Sequence, residues 1–580
     1  MRSRIVHPIA STRLPIDILL CILHHCDFST IIQFSMTSKK SQSMVHQTTS
    51  LQLCIELDVN GLEIVKQSLK PGVTYAVILE ELKDYRDAWL SFSFGPRLSL
   101  QQPATNSVLS HRSGQCHGEA YFKPFRVPEV GEDTNQRYPF NRIRLTDFRS
   151  PTNSDLPLDF KRSFRNFIAD AKQDLIVLID HEDVSFTQVD IHLNHISTAE
   201  AHSLARSPTL TVRFEELDEE PDFHYGGAWI MGHILVVRFT PASRKNRRIC
   251  DNIAIWDWQS GLFLGRIISE TNSIKPTFID KNTLLFLAHT SELSSSSEPA
   301  QNQVALLVYH IPTALAVSAQ EPQIADCYMP SCPSLRPTLI FELPRLDPNY
   351  RVLRPIFWDT LAGPGDLACQ RSAQVVHSCV KTVALSLCVA NKHPSNSESE
   401  HISPIRYSIF LSTDSILDHL SKNRSEDTVT IDWSDWGTTA TRWFMDRNWL
   451  SDTAKIHGST HLVTCYNLIK NGVLVTSYIR EFNPQIIKRH TSNVLDQDER
   501  EKVLQGEGFC VDPTDPIRIV GNDTKTVVCI GFEQPVESTL PYMIVYRERS
   551  TLPSTGWYIH SDYLVERSGG SHLSLYQLKF

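Results

Sequence analysis

Any chemistry of this chain's own has to come from a few residue groupings. The sequence holds 23 histidines and 13 cysteines, so chance pairs are expected. Cys327 and Cys332, separated by four residues in a Pro-containing loop, have no second pair at zinc spacing. Cys369, Cys379 and Cys388 are too widely spaced for a metal knuckle, and Cys388 falls in a strand-like run. His192, His195 and His202 flank a strand end and read as packed or surface residues. Asp432 and Asp435 alternate with Trp433 and Trp436. Paired carboxylates with aromatic platforms are glycosidase equipment, but the plainer expectation is a strand pair with packed indoles. Gly363-Pro364-Gly365 is a turn, because no strand–helix frame surrounds it to make a phosphate cradle. Neither G-x-x-x-x-G-K-[ST] nor G-x-S-x-G occurs. The expectation is a non-enzyme without metal or cofactor.

One charged cluster stands out. "RKNRR" puts Arg244, Lys245, Arg247 and Arg248 between the strand runs Ile234–Phe239 and Ile253–Trp258. The whole chain carries 56 basic and 65 acidic residues, a net charge of −9. Guanidinium forks suit carboxylate or phosphate recognition, so these four cations are the candidates for contacting an acidic or phosphorylated substrate. A solvated loop tip and a nuclear-import signal are the other readings. The acidic balance argues against nucleic acid as a general partner.

The elements that carry these residues come next. At 580 residues, with 41% hydrophobic and 21% charged, the chain can build several cores and is not mostly disordered. Scattered, odd-numbered cysteines fit a reducing cytosol or nucleus. The longest early apolar run, Ile18–Leu23, is too short for a signal peptide core or a membrane span. Arg2, Arg4 and Arg13, with no acid before Asp17, leave a mitochondrial presequence open. The sequons at Asn423 and Asn522 are expected to be silent.

The first sixty residues read as short helices. Leu14-Pro15 opens one through Leu23; Asp27 caps a second containing Ile31, Ile32 and Phe34; Thr37 or Ser38 caps a third through Val45. The first helix is apolar on nearly every side, more than so small a module can cover itself.

"LPIDILLCILHHCDFSTIIQFSMTSKK", Leu14 to Lys40, resembles an F-box through Leu14, Pro15, Ile22, Leu23, Asp27 and Ser38. It departs from the family at Cys26, where Leu is usual, and at Met44-Val45, where an aromatic is usual. The resemblance implies docking on a Skp-type adaptor and, through it, a cullin. The residues to make that contact are Leu14, Pro15, Ile18, Leu19, Ile22, Leu23, Ile31, Phe34 and Ser38. "LQLCIELDVNGL" then precedes a helix with an apolar face of Tyr75, Ile78, Leu79, Leu82, Tyr85 and Trp89. With "DWSDWGTTATRWF" and "LPY" further on, the chain resembles fungal F-box proteins, those of mushroom-forming species above all.

From about Tyr121 the pattern turns to strands, among them Leu175–Ile179, Leu284–Leu287, Val383–Val389 and Tyr542–Tyr546. Asp498–Leu504 is a lone helical window. "NIAIWDWQSGLFLGRI", Asn252 to Ile267, resembles the hairpin of a WD-type propeller blade, a shape repeated near 189–200 and 303–316. Polar stretches at 291–303 and 391–401 read as disordered insertions. The expected fold class is α+β multidomain: a helical module at 1–60, a linker with an amphipathic helix at 61–111, and an all-β domain at 112–580. That domain is an irregular β-propeller of six to eight blades, with tandem β-sandwiches as the alternative. The function expected is a substrate receptor of a Skp–cullin–F-box ubiquitin ligase. The alternatives are an adaptor-binding protein outside a ligase and a propeller enzyme with an F-box-like start. No nucleic acid or membrane partner is expected.

Overall fold

The structure is a computed structural model. It describes residues 14–90, 94–101, 115–117, 120–127, 139–148, 157–181, 187–215, 222–242, 251–269, 276–289, 304–313, 326–357, 363–392, 404–423, 427–446, 455–457, 459–469, 472–488, 517–548, 557–560, 562–568 and 572–579. The window 498–504, "RKNRR" and nearly all of both polar insertions lie outside them.

Five helices lead: α1 (Ile16–Leu23), α2 (Phe28–Met36), α3 (Lys39–Gln47), α4 (Thr49–Val59) and α5 (Tyr75–Leu90). Caps set the boundaries. The Asp27 carboxylate accepts the Thr30 N–H at 2.7 Å, and the Ser38 hydroxyl, rather than Thr37, accepts that of Ser41 at 3.1 Å. Leu23, Ile31, Val45, Leu51, Ile55 and Val59 fill the core of this module.

Strands follow. Among the described residues seven sheets have four or five strands, and they succeed one another along the chain. They are built from residues 115–164, 166–213, 222–269, 277–342, 350–446, 455–548 and 557–577. Strand Asp326–Tyr328 is added in parallel to the outer edge of the second, and Val429–Ile431 to that of the fourth. The fourth strand of the seventh sheet comes from the other end of the chain: Leu98–Gln101 pairs antiparallel with His572–Gln577.

Each sheet is buried on both faces. In the second, Leu175, Val177 and Ile179 share a core with Val237 and Trp256 of the third. The intervening Ile176 and Leu178 share one with Phe122 and Phe164 of the first. Period two delivers alternate side chains to opposite neighbours, which is why such strands read as unbroken apolar runs. The series continues through Ile255 with Phe286, Leu306 with Ile409, Phe410 stacked on Phe482 at 4.2 Å, and Met543 with Leu564. It closes where Val565 and Leu575 of the seventh sheet meet Tyr121 and Phe148 of the first. Seven sheets therefore form a ring, each packed on two neighbours rather than in isolated pairs.

The WD-like hairpin is present as strands Asp251–Asp257 and Leu262–Ser269. The Asp257 carboxylate accepts the Gln259 and Ser260 N–H groups, and Gly261 supplies the left-handed residue, φ 73°. One expectation changes. Trp433–Ala440 is a helix, not part of a strand pair. Within the stretch read as a linker with an amphipathic helix, that helix, α5, packs on the ring, Leu62–Ile64 is a strand, and Leu98–Gln101 belongs to the seventh sheet.

Candidate functional site

Helices α1 and α2, with Leu14 before them, leave several large apolar side chains exposed. Leu14, Ile16, Ile18, Ile22 and Ile32 stand between 40% and 51% exposed, and Met36 is 80% exposed. The module's core is already filled from the other side of the same helices, so folding within the module leaves these side chains uncovered. Of the residues expected to dock, Leu14, Pro15, Ile18 and Ile22 lie on this surface, and Leu19 and Phe34 at its half-buried margin. Leu23 and Ile31 are 4% and 1% exposed and hold the face from beneath. Ser38 is exposed, but its hydroxyl is engaged by the N-terminus of α3. The sequence reading passed over Ile16, Ile32 and Met36; their one signal was an apolar residue beyond what the core needs.

The start of α2 is tied to the helix behind it. The Phe28 N–H donates to Asp58 Oδ2 at 2.8 Å, tying the start of α2 to α4. Hydrogen bonds from the Thr30 hydroxyl and N–H hold the Asp27 carboxyl below its usual range.

The module is also fixed to the ring. Leu62–Ile64 pairs with Gln374–His377, which pairs with Leu367–Gln370, in a three-stranded sheet built on an excursion of the fifth ring sheet. Asn483 Nδ2 donates to the Val59 carbonyl at 2.7 Å, the Ser372 hydroxyl to Glu81 at 2.6 Å, and Lys281 Nζ to Glu63 at 2.5 Å. On α5, Ile78, Leu79, Leu82, Tyr85 and Trp89 bury their stripe against Val375, Ile479, Ile486, Met543 and Tyr576. Arg86 reaches back from α5 to the buried Glu56 of α4 at 2.7 Å.

The other groupings do structural work. Asp174, His195 and Ser203 meet in triad order: His195 Nδ1 donates to Asp174 Oδ2 at 2.8 Å, and Nε2 lies 3.2 Å from the serine hydroxyl. The Ser203 N–H, however, donates to that same Nε2 at 2.9 Å. The lone pair that would take a serine proton is already held, so the arrangement lacks a free base. The His202 ring stacks on His195 at 4.1 Å and meets Trp258 edge-on, joining the second and third sheets. His192 bonds Thr209, and burial lowers it to about 4. Trp436 is buried against Phe341, with its indole N–H on the Glu342 carbonyl. Gly363, Pro364 and Gly365 form a turn whose Gly365 carbonyl accepts from Lys172. Among the described residues no three His, Cys, Asp or Glu side chains are grouped to hold a metal, and no helix is long and apolar enough to cross a membrane. Arg244, Lys245, Arg247 and Arg248 lie outside the described residues.

No curated protein matches the chain. Among solved structures it overlaps a polysaccharide lyase, Uly1, at 6% identity over 83% of this chain and 92% of that one, TM-score 0.29. It overlaps the tricorn protease at 10% identity over 74% and 44%, TM-score 0.19. The S. cerevisiae core factor matches at 11% identity over 76% and 65%, TM-score 0.17. Similarity at this level carries no argument about fold or chemistry. Residues 11–51 match the F-box domain family. The chain thus carries an N-terminal F-box domain followed by a large all-β region.

Proposed function

We propose that this chain is a substrate receptor of a Skp–cullin–F-box ubiquitin ligase, of the kind its sequence resembles in fungi. The apolar face of α1 and α2 docks on a Skp-type adaptor, and the ring of sheets, taken as a seven-bladed β-propeller, carries the target protein. The observation behind this is that Leu14, Ile16, Ile18, Ile22, Ile32 and Met36 are exposed on a module whose core is complete without them. The joint supports a receptor role, since it fixes the direction in which the ring presents a target relative to the adaptor. Transfer chemistry belongs to other subunits, and the chain is not itself an enzyme.

The test is binding of purified Skp-type adaptor to the wild type and to Leu14→Ala/Ile18→Ala. Both side chains are exposed, so their loss leaves the fold intact. Truncating two anchors of an apolar hot spot should cost about 2 kcal/mol or more, around thirtyfold in affinity. Equal binding by both proteins would refute the docking face. Adding cullin and the ubiquitin machinery then tests the ligase. An adaptor complex that never supports ubiquitin transfer to a protein captured by the ring would place the chain outside a ligase.

A further inference from the structure

We propose that Cys327 and Cys332 form a reversible dithiol–disulfide pair, closed by an oxidant of the peroxide class. Cys327 lies on the parallel strand Asp326–Tyr328 at the outer edge of the second sheet, and Cys332 ends the single 3-10 turn Met329–Ser331 that follows. Neither is in a disulfide, and they are 1% and 3% exposed, while Tyr328, Pro330 and Ser331 between them stand in solvent. The two side chains are hydrogen-bonded to each other, and the Cys332 S–H donates to the Tyr328 carbonyl at 3.3 Å, a proton it gives up on becoming the thiolate. Beside them the Arg266 guanidinium is anchored on the Met329 and Pro330 carbonyls.

The division of roles follows from the surroundings. The hydrogen bond from Cys327, helped by the Arg266 charge, holds the Cys332 thiol below its usual range. The same bond and burial push Cys327 up, so it keeps its proton. Cys332 is then the sulfur that reacts first. Its thiolate attacks peroxide; an S–O bond forms, the O–O bond breaks, and the departing hydroxide leaves as water after taking a proton. The Cys327 sulfur next attacks the Cys332 sulfenic acid, losing its own proton as the S–O bond breaks and a second water leaves. Two thiols and one peroxide give one disulfide and two waters.

The bond would matter because of where this segment sits. Residues 211–213 pair with 326–328, while the Arg266 N–H donates to the Pro333 carbonyl at 3.1 Å and the Leu335 N–H to the Arg266 carbonyl at 2.7 Å. The segment is a strap from the rim of the second sheet to the rim of the third. Closing a loop of six residues within it fixes the turn that makes the crossing.

The full chain is treated with hydrogen peroxide, quenched, denatured, alkylated and digested with trypsin. No Lys or Arg lies between Lys281 and Arg336, so both cysteines fall on one peptide. That peptide should lose two hydrogens and resist alkylation, and dithiothreitol should restore it. The exposed Cys21 and Cys529 serve as controls for oxidant dose. Arg266→Gln should close several-fold more slowly to the same product, and Cys332→Ser should leave Cys327 reduced at the same dose. Thiols that stay alkylatable after Cys21 and Cys529 are oxidised would overturn the proposal. So would arrest at a sulfinic acid on either residue, or equally fast oxidation of Cys327 in Cys332→Ser.

Discussion

Arg442 is fully buried, and its guanidinium donates to the carbonyls of Leu540 at 2.7 Å, Thr524 at 2.8 Å, Ser538 at 3.0 Å and Gly521 at 3.3 Å. One side chain thereby closes the backbone of the loop 521–540 onto the fifth sheet, while its charge lies 5.1 Å from the Tyr542 ring centre. Removing the cation leaves carbonyls buried without their donor, which is costly because each was taken from water. Arg442→Met should lose on the order of 3–5 kcal/mol of stability. Arg442→Lys should lose less, since a single ammonium reaches fewer carbonyls. Urea denaturation of the full chain checks both, and a loss below about 1 kcal/mol for Met would show that water replaces the guanidinium. Nothing in the sequence distinguishes this arginine from the exposed ones, because its partners are all main-chain atoms distant in sequence.

Elements were readable where one neighbour decides their pattern. Runs such as Leu175–Ile179 were recognisable as strands, and α5 by its steps of three and four. Helix α4 was not read as one. Leu51, Leu53, Ile55 and Leu57 alternate like a strand, yet the helix buries opposite sides: Leu51, Ile55 and Val59 in the module's core, Leu53 and Leu57 against the ring. Trp433–Ala440 was hidden because its Trp and Thr residues favour strands, whereas packing against Phe341 and Trp443 overrides propensity. The short joint sheet yields a prediction. His377, within it, is driven by burial, with repulsion from Lys172, down to about 3. Its ordinary value is about 6.5. The stability it contributes is whole above that value and declines as pH falls from 6.5 towards 3, by about 1.4 kcal/mol per unit. Hydrogen exchange at residues 62–65 and 374–377, corrected for intrinsic rate, should therefore quicken between pH 7 and pH 5. In His377→Leu that pH dependence should flatten; an unchanged slope would assign it to another group.

At the scale of the molecule, closure is the property that matters. A sheet in the ring has both faces covered by its neighbours, so opening the circle at one place exposes apolar surface on two sheets at once. The sequence reading started the β-rich part at residue 112, which would remove Leu98–Gln101 and leave the edge of His572–Gln577 unpaired. A protein starting at residue 112 is accordingly expected to aggregate or to unfold at lower urea than one starting at residue 58, which keeps Leu62–Ile64, α5 and the closing strand. Size-exclusion chromatography and urea denaturation of the two decide it; equal behaviour would mean that the circle holds with three strands in its last sheet. The ring was not fully legible beforehand because blade-like spacing is broken by long insertions, and because the strand that closes the seventh sheet stands nearly the whole chain away from its partners.

That separation has a consequence in time. Arg97 bonds Ser574 across 477 residues of sequence. A ribosome adding about 5–20 residues per second would need on the order of half a minute or more between the two. Throughout that interval the sheets accumulate one by one with an uncapped end, a natural client for chaperones. The F-box helices, whose core is local, can fold at the outset, long before the ring that follows them is complete.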